Sequence, residues 1–244
     1  MQKHLLKFSL LATLLLGNLI QVAQASDETT SSTITTKLST GVFYSYGQSQ
    51  TINASDTTTT SIPLMLSIKG GAFTFGVASS YLSIDSASFK AQGMGDTTVS
   101  MAYDLTSNPW VALKVKHKFA TGDAAKALST GKEDTSVQLD YFYPILSNTS
   151  VFANIGHKFV GKVKGANMQD TNYGSIGTGY NFANKTSLGL SLDYRQSIFK
   201  SVEAQKGASV FLSTPLTETF SASAFVGYDS TQTSNAGATI TSKF

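Results

Sequence analysis

From Thr33 to the C-terminus, apolar residues recur at every second position, in segments of about ten residues separated by turn formers. A period of two places successive side chains on opposite faces of an extended strand. Twelve such segments can be read, at 33–47, 61–69, 72–83, 95–105, 110–120, 135–145, 150–161, 172–182, 187–198, 208–216, 219–229 and 235–244. Ile62, Leu64, Leu66 and Ile68 share one face, as do Leu188, Leu190, Leu192 and Tyr194. The opposite face is small or polar, with Thr74, Gly76, Ala78 and Ser80 in one segment and Ser175, Gly177 and Gly179 in another.

The connections decide how the segments are joined. Gly70-Gly71, Thr106-Ser107-Asn108-Pro109, 146–149, 183–186 and Thr217-Glu218 are short and rich in turn formers, whereas 48–60, 84–94, 121–134, 162–171, 199–207 and 230–234 are longer. Membrane barrels keep short turns on the periplasmic side and long loops outside. Six outer loops and five inner turns then give an even strand number with both ends in the periplasm. Aromatic residues of the apolar set gather at segment ends, Tyr46, Tyr81, Phe119, Phe159, Tyr194 and Tyr228 toward the long loops, and Phe73, Tyr143, Phe182, Phe220 and Phe244 toward the short turns. Two such bands mark the headgroup levels of a bilayer, whereas a soluble lipocalin-like barrel or sandwich would bury its apolar set inside. The expected fold is all-β, a transmembrane antiparallel up-and-down β-barrel of about 12 strands.

The N-terminus fits export. Lys3 and Lys7 precede an apolar run from Leu10 to Ile20, and Ala23-Gln24-Ala25 supplies a small-x-small cleavage site. Residues 1–25 are therefore expected to be a signal peptide and 26–244 the barrel domain, in the outer membrane of a Gram-negative bacterium. Cleavage leaves 16 basic against 15 acidic residues, so the net charge gives no reason to expect nucleic acid as a partner. There is no cysteine, which excludes disulfides and thiolate metal sites. No later stretch holds 18 consecutive apolar residues, so no further membrane helix is expected.

The inner face carries the residues that could do chemistry. Lys114, Lys116 and Lys118 alternate along one strand and form a stripe; Gln138, Asp140, Lys158, Asp193 and Arg195 face inward on other strands. A symmetric hairpin over 121–134 sets Lys116 opposite Gln138 and Lys114 opposite Asp140. Either the stripe is neutralised by neighbouring carboxylates, or it forms an anion-attracting ladder in which Asp140 offsets a single lysine. Phe43, Phe142, Phe211 and Phe225 also face inward, either as packing or as an apolar path for greasy solutes. The many small inner residues suggest a narrow water-filled lumen.

Three stretches in the middle of the chain carry a family resemblance. Gly93-Met94-Gly95-Asp96 is followed by Tyr103-Asp104-Leu105, then by Lys116-His117-Lys118-Phe119-Ala120-Thr121-Gly122-Asp123, then by Ser129-Thr130-Gly131-Lys132-Glu133-Asp134. Over residues 93–160 the chain resembles outer-membrane proteins grouped as the phenol-degradation meta-pathway transporter family, with Ala120 where a proline would precede Thr-Gly-Asp. The resemblance implies an outer-membrane barrel of transport function and supplies no catalytic residue. The Gly-Asp pairs read as loop corners in which Asp bonds backbone amides; a divalent cation among Asp96, Asp123, Glu133 and Asp134 is the sharper alternative.

Catalysis has little to rest on. His117 and His157 are the only imidazoles after the signal segment, both in His-Lys-Phe, and neither is accompanied by a nucleophile elbow. Gly177-Thr178-Gly179 has no following helix to hold a phosphate, so no nucleotide or other cofactor is implied. The reading is a channel for passive passage of small solutes, the alternative being a structural or adhesive protein acting through its outer loops. Its partners are outer-membrane lipid, the barrel assembly machinery and a small-molecule solute. The terminal Phe244, in register with Ile240, resembles the last-strand signal read by that machinery. Deleting Phe244 is expected to lower the yield of heat-modifiable barrel in cells while leaving refolding in detergent intact; normal cellular yield would reduce it to one more band residue.

Overall fold

Alternation on this scale leaves every strand with one face that water rejects, and the strands resolve this by closing on one another. The computed structural model describes residues 34–48, 56–87 and 89–244; the signal peptide expected at 1–25 lies outside the described residues. The elements are β1 (Thr35–Gln48), β2 (Asp56–Gly70), β3 (Phe73–Ser86), β4 (Phe89–Met94), β5 (Thr97–Ser107), β6 (Trp110–Phe119), β7 (Asp134–Pro144), β8 (Thr149–Val160), β9 (Thr171–Asn181), β10 (Ser187–Arg195), β11 (Gln205–Pro215), β12 (Phe220–Asp229) and β13 (Ser234–Lys243). Each pairs antiparallel with its neighbours, and β1 closes the ring on β13 from Lys37↔Lys243 to Tyr46↔Ser234.

β4 and β5 are two parts of one wall strand. β3 pairs with β4 at its outer end, through Tyr81↔Met94, and with β5 further in, through Ala78↔Thr98. Gly95 and Asp96 stand between them, and the Gly95 amide donates to the Ser80 carbonyl at 2.8 Å, so the ladder continues across the break. The wall is a closed twelve-stranded antiparallel barrel. The 84–94 connection, expected to be an outer loop, is instead a strand hairpin standing beyond the barrel rim. β2 begins at Asp56 rather than 61, because Thr57 to Thr60 are β-formers without apolar alternation, which the period alone does not register.

The outer surface is apolar around the ring. Leu64 (59%), Ile155 (67%) and Leu192 (63%) are exposed on different strands, in a belt that only a lipid environment tolerates. Rings gather at its edges: Phe73 and Tyr103 lie 4.9 Å apart, and Tyr180 and Phe182 5.0 Å, at the short-turn end.

Inside, the middle of the barrel is packed. Phe43, Met65, Phe152, Phe211 and Phe225 form one buried cluster, with Ala78 and Phe142 against it. The rings fit because glycines on adjacent strands leave room. Phe211 lies over Gly189, Phe152 over Gly177, and a methyl at Gly237 would come 2.5 Å from Phe225 and 2.6 Å from Phe43. Large rings over bare backbone let an interior of mostly small residues still exclude water at one level. Gly177→Ala, whose methyl would overlap both the Phe152 ring and the Leu190 carbonyl oxygen, is expected to lower stability in lipid vesicles by about 1–3 kcal/mol. Gly70→Ala, with Ile34 no nearer than 3.8 Å, is the neutral control in the same urea titration.

Candidate functional site

The lysine stripe lies on β6, and its register follows from where β7 begins. Asp134 is already in the strand, so Lys118 stands opposite Asp134, Lys116 opposite Ser136 and Lys114 opposite Gln138. The expected backbone pairs, Lys116 with Gln138 and Lys114 with Asp140, are each displaced by two residues. Long side chains restore them diagonally: Lys114 Nζ reaches Asp140 at 2.8 Å, and Lys116 Nζ donates to Gln138 Oε1 at 3.0 Å. Gln138 also donates to Asp140 and accepts from the Tyr173 hydroxyl at 3.1 Å.

Lys118 is held by two carboxylates, Asp96 at 2.6 Å and Asp134 at 3.3 Å, both nearly buried. These same carboxylates fix the outer corners: Asp96 accepts from the Gly122 amide at 3.1 Å and Asp134 from the Gly161 amide at 3.0 Å. Asp123 accepts from the Ala125 amide at 2.9 Å, and Glu133 faces His117. The four acids therefore do not converge on a cation. They act as loop corners, with the Lys118 ammonium between two of them. The stripe is not a uniform ladder either, because Lys114 and Lys118 are paired, and Asp140 is not its sole carboxylate partner.

Two further inward cations, Lys158 and Arg195, lie in the outer half of the barrel. Lys158 is registered opposite Ser136 and Arg195 opposite Tyr173. Arg195 donates to Gln205, and Asp193 below it accepts from Ser191 at 2.9 Å. Phe43, Phe211 and Phe225 are buried in the aromatic layer and Phe142 packs on its edge. Asp96 and Asp134, which the sequence offers only as loop corners or cation ligands, belong to this interior through Lys118. Tyr173, Phe152 and Met65 belong to it as well, and the sequence reading misses all three. Parity is the signal that finds them: Phe152 matches Asn154, Tyr173 matches Ser175, and Met65 alternates with outward Leu64 and Leu66.

The imidazoles face away from this interior. His117 Nδ1 bonds Thr135 at 2.9 Å and His157 Nδ1 bonds Asn172 at 2.7 Å, each ring edge-on to the Phe two residues later. The long loops carry small cores of their own: Leu128 packs on Leu82 and Ile84, and Met168 joins Val160 and Ile198. Asp170 ties one of these loops down, and the Lys162 ammonium, then the Val160 amide, hold its carboxyl below the usual carboxylate range.

Two cavities meet at Lys116. The larger, about 680 Å³, runs from Lys37, Glu218 and Lys243 at the short-turn rim past Ser39, Thr74 and Ser100 to Lys114 and Lys116. The smaller, about 90 Å³, lies among Lys116, Gln138, Tyr173, Arg195, Gln205 and Asp229. The narrow lumen expected from the small inner residues thus contains an aromatic layer, and Lys116 lines both cavities. Lys118→Met would leave Asp96 and Asp134 buried without their cation, at a cost of about 3–5 kcal/mol. Adding Asp96→Asn and Asp134→Asn is expected to recover most of that loss in urea unfolding; no recovery would mean that the corners depend on the charges themselves.

Solved structures of outer-membrane barrels share the fold, among them the following three. The COG4313 outer membrane channel from Pseudomonas putida F1 superposes with a TM-score of 0.73 at 13% identity, over 89% of this chain and 97% of that one. The translocator domain of the autotransporter NalP from Neisseria meningitidis gives 0.57 at 10% identity, over 96% and 95%. The KdgM porin in complex with disordered oligogalacturonate gives 0.55 at 13% identity, over 84% and 99%. At such identities the likeness is one of fold, and it agrees with the transporter resemblance in the middle of the chain. No curated protein sequence matches the chain. The family described as protein of unknown function (DUF3187) matches residues 73–225, from β3 into β12 and more than half of the chain, and the protein therefore belongs to that family.

Proposed function

We propose that this protein is an outer-membrane channel for passive passage of small solutes, reached after export and removal of residues 1–25. The observation that carries the reading is the cavity of about 680 Å³ along the barrel axis, lined by small polar residues and sharing Lys116 with a second cavity beyond the aromatic layer. A barrel filled only for strength would not leave such a space. Two proteins of the same fold are described as an outer membrane channel and as a porin, which supports the reading. Catalysis has no support in the geometry, since each imidazole lies on the outer surface against Thr135 or Asn172 rather than a serine.

The route past Lys116 is narrow, so the solutes are small and the selectivity is set there. Lys114 and Lys118 have their charges offset by Asp140, Asp96 and Asp134, whereas Lys116 bonds the neutral Gln138. In planar bilayers the purified barrel is expected to show stepwise conductance, and Lys116→Glu to move the reversal potential of a salt gradient toward cations, less so at high salt. Phe211→Ala with Phe225→Ala is expected to raise the unit conductance by thinning the aromatic layer. Absence of both conductance and liposome uptake in all three proteins would end the channel reading and give the function to the outer loops, whose packed cores would then serve a structural or adhesive role.

A further inference from the structure

Three cations stand on alternate strands in the outer half of the lumen, Lys116 on β6, Lys158 on β8 and Arg195 on β10. The strands between them present neutral side chains. Ser136 on β7 is the registered partner of both Lys116 and Lys158, and Tyr173 on β9 is that of Arg195. Direct partners on one face have Cβ atoms about 5 Å apart. The two lysines therefore start about 10 Å apart across Ser136, close enough for two long side chains to meet over one group.

Their countercharges are engaged elsewhere. Asp140 is taken by Lys114 at 2.8 Å and Asp134 by Lys118 at 3.3 Å. Among the described residues, neither Lys116 nor Lys158 has a carboxylate within 4.0 Å, and Lys158 has no hydrogen-bond partner. Lys114 and Lys158 repel the Lys116 ammonium while Asp140 attracts it, and Arg195 and Lys118 repel Lys158 while Asp134 attracts it; Asp229 and Asp193 offset part of the Arg195 charge. Ammonium groups held inside a protein without a counter-ion are costly, and a bound anion relieves the desolvation and the repulsion together. The cavity of about 90 Å³ at Lys116, lined also by Gln138, Tyr173 and Arg195 and by Asp193 and Asp229, which offset the guanidinium, has room for a group of that size.

We propose that Lys116, Lys158 and Arg195, with the hydroxyl of Ser136, form a binding site for an oxyanion group, a carboxylate or a phosphate, carried by a small solute. The proposal rests on the channel reading for the arrival of the solute and deepens it by naming the solute's class. A solute held here would reach the aromatic layer with its charged group bound and its remainder facing Phe43, Phe211 and Phe225.

The test uses the refolded full chain in zwitterionic detergent, with inorganic phosphate and acetate titrated by calorimetry against chloride at equal ionic strength. Saturable binding of phosphate, acetate or both beyond chloride is expected, and which of them binds assigns the group. Lys116→Met with Lys158→Met should weaken it by about tenfold or more, since each lost charged hydrogen bond is worth roughly that factor, while Lys164→Met in an exposed outer loop should not change it. Should the double variant lose its heat-modifiable mobility, Lys158→Gln alone gives the same comparison. No saturable binding beyond chloride, or equal affinity in folded variants, would overturn the site. Conductance without binding would then leave the channel standing, whereas binding without conductance would keep the site and remove the channel.

Discussion

In hydrocarbon, each backbone N–H and C=O must find its partner within the protein, and a sheet satisfies this only if it has no edge. The pairing of β1 with β13 is where the chain meets that condition. Everything else in the architecture follows from it. The first and last strands must come together: Thr36 and Phe244 exchange two backbone hydrogen bonds, at 2.8 and 3.2 Å. The apolar face must turn outward, and the interior must be furnished from whatever the opposite parity supplies.

That interior solves two problems at different heights. In the middle, rings over glycine fill space with few atoms and no polar groups to satisfy. Toward the long loops the filling is ionic, and two of its buried carboxylates, Asp96 and Asp134, are also loop corners that join wall and cap through one ammonium. A buried ion pair adds little net stability but penalises every arrangement that separates its members. The cap is thereby placed in one register over the wall.

Most of the barrel is legible in the alternation of the strands. Parity places Leu64, Ile155 and Leu192 outside and Lys114, Lys116 and Lys118 inside, because alternation reports side-chain direction directly. Register is less legible. The hairpin from β6 to β7 departs by two residues from a symmetric reading because Asp134 belongs to the strand, and nothing in local propensity distinguishes an Asp that opens a strand from one that closes a loop. The 84–94 hairpin reads as a loop because Leu82, Ile84, Phe89 and Ala91 put their apolar face inward, against Leu128, where the barrel rule expects polar residues. The aromatic layer is half visible: its rings can be named, but whether they meet across the lumen depends on closure, which no single strand encodes. The ion pairs of Lys118 link residues 16 and 22 positions away along the chain, a distance at which spacing alone carries no signal.

The ring-over-glycine arrangement has an evolutionary consequence. Phe152 and Gly177, Phe211 and Gly189, and Phe225 and Gly237 are each a large side chain and its vacancy on adjoining strands. A side chain gained at the glycine, without a smaller residue replacing the ring, meets an overlap; a ring lost alone opens a hole. Each pair can thus change readily only as a unit, so this level of the barrel should drift in coupled steps while the lipid face beside it exchanges one aliphatic residue for another freely. The dimensions of the interior at this level would then be inherited through the spacing of glycines rather than through the identity of the polar residues that line it.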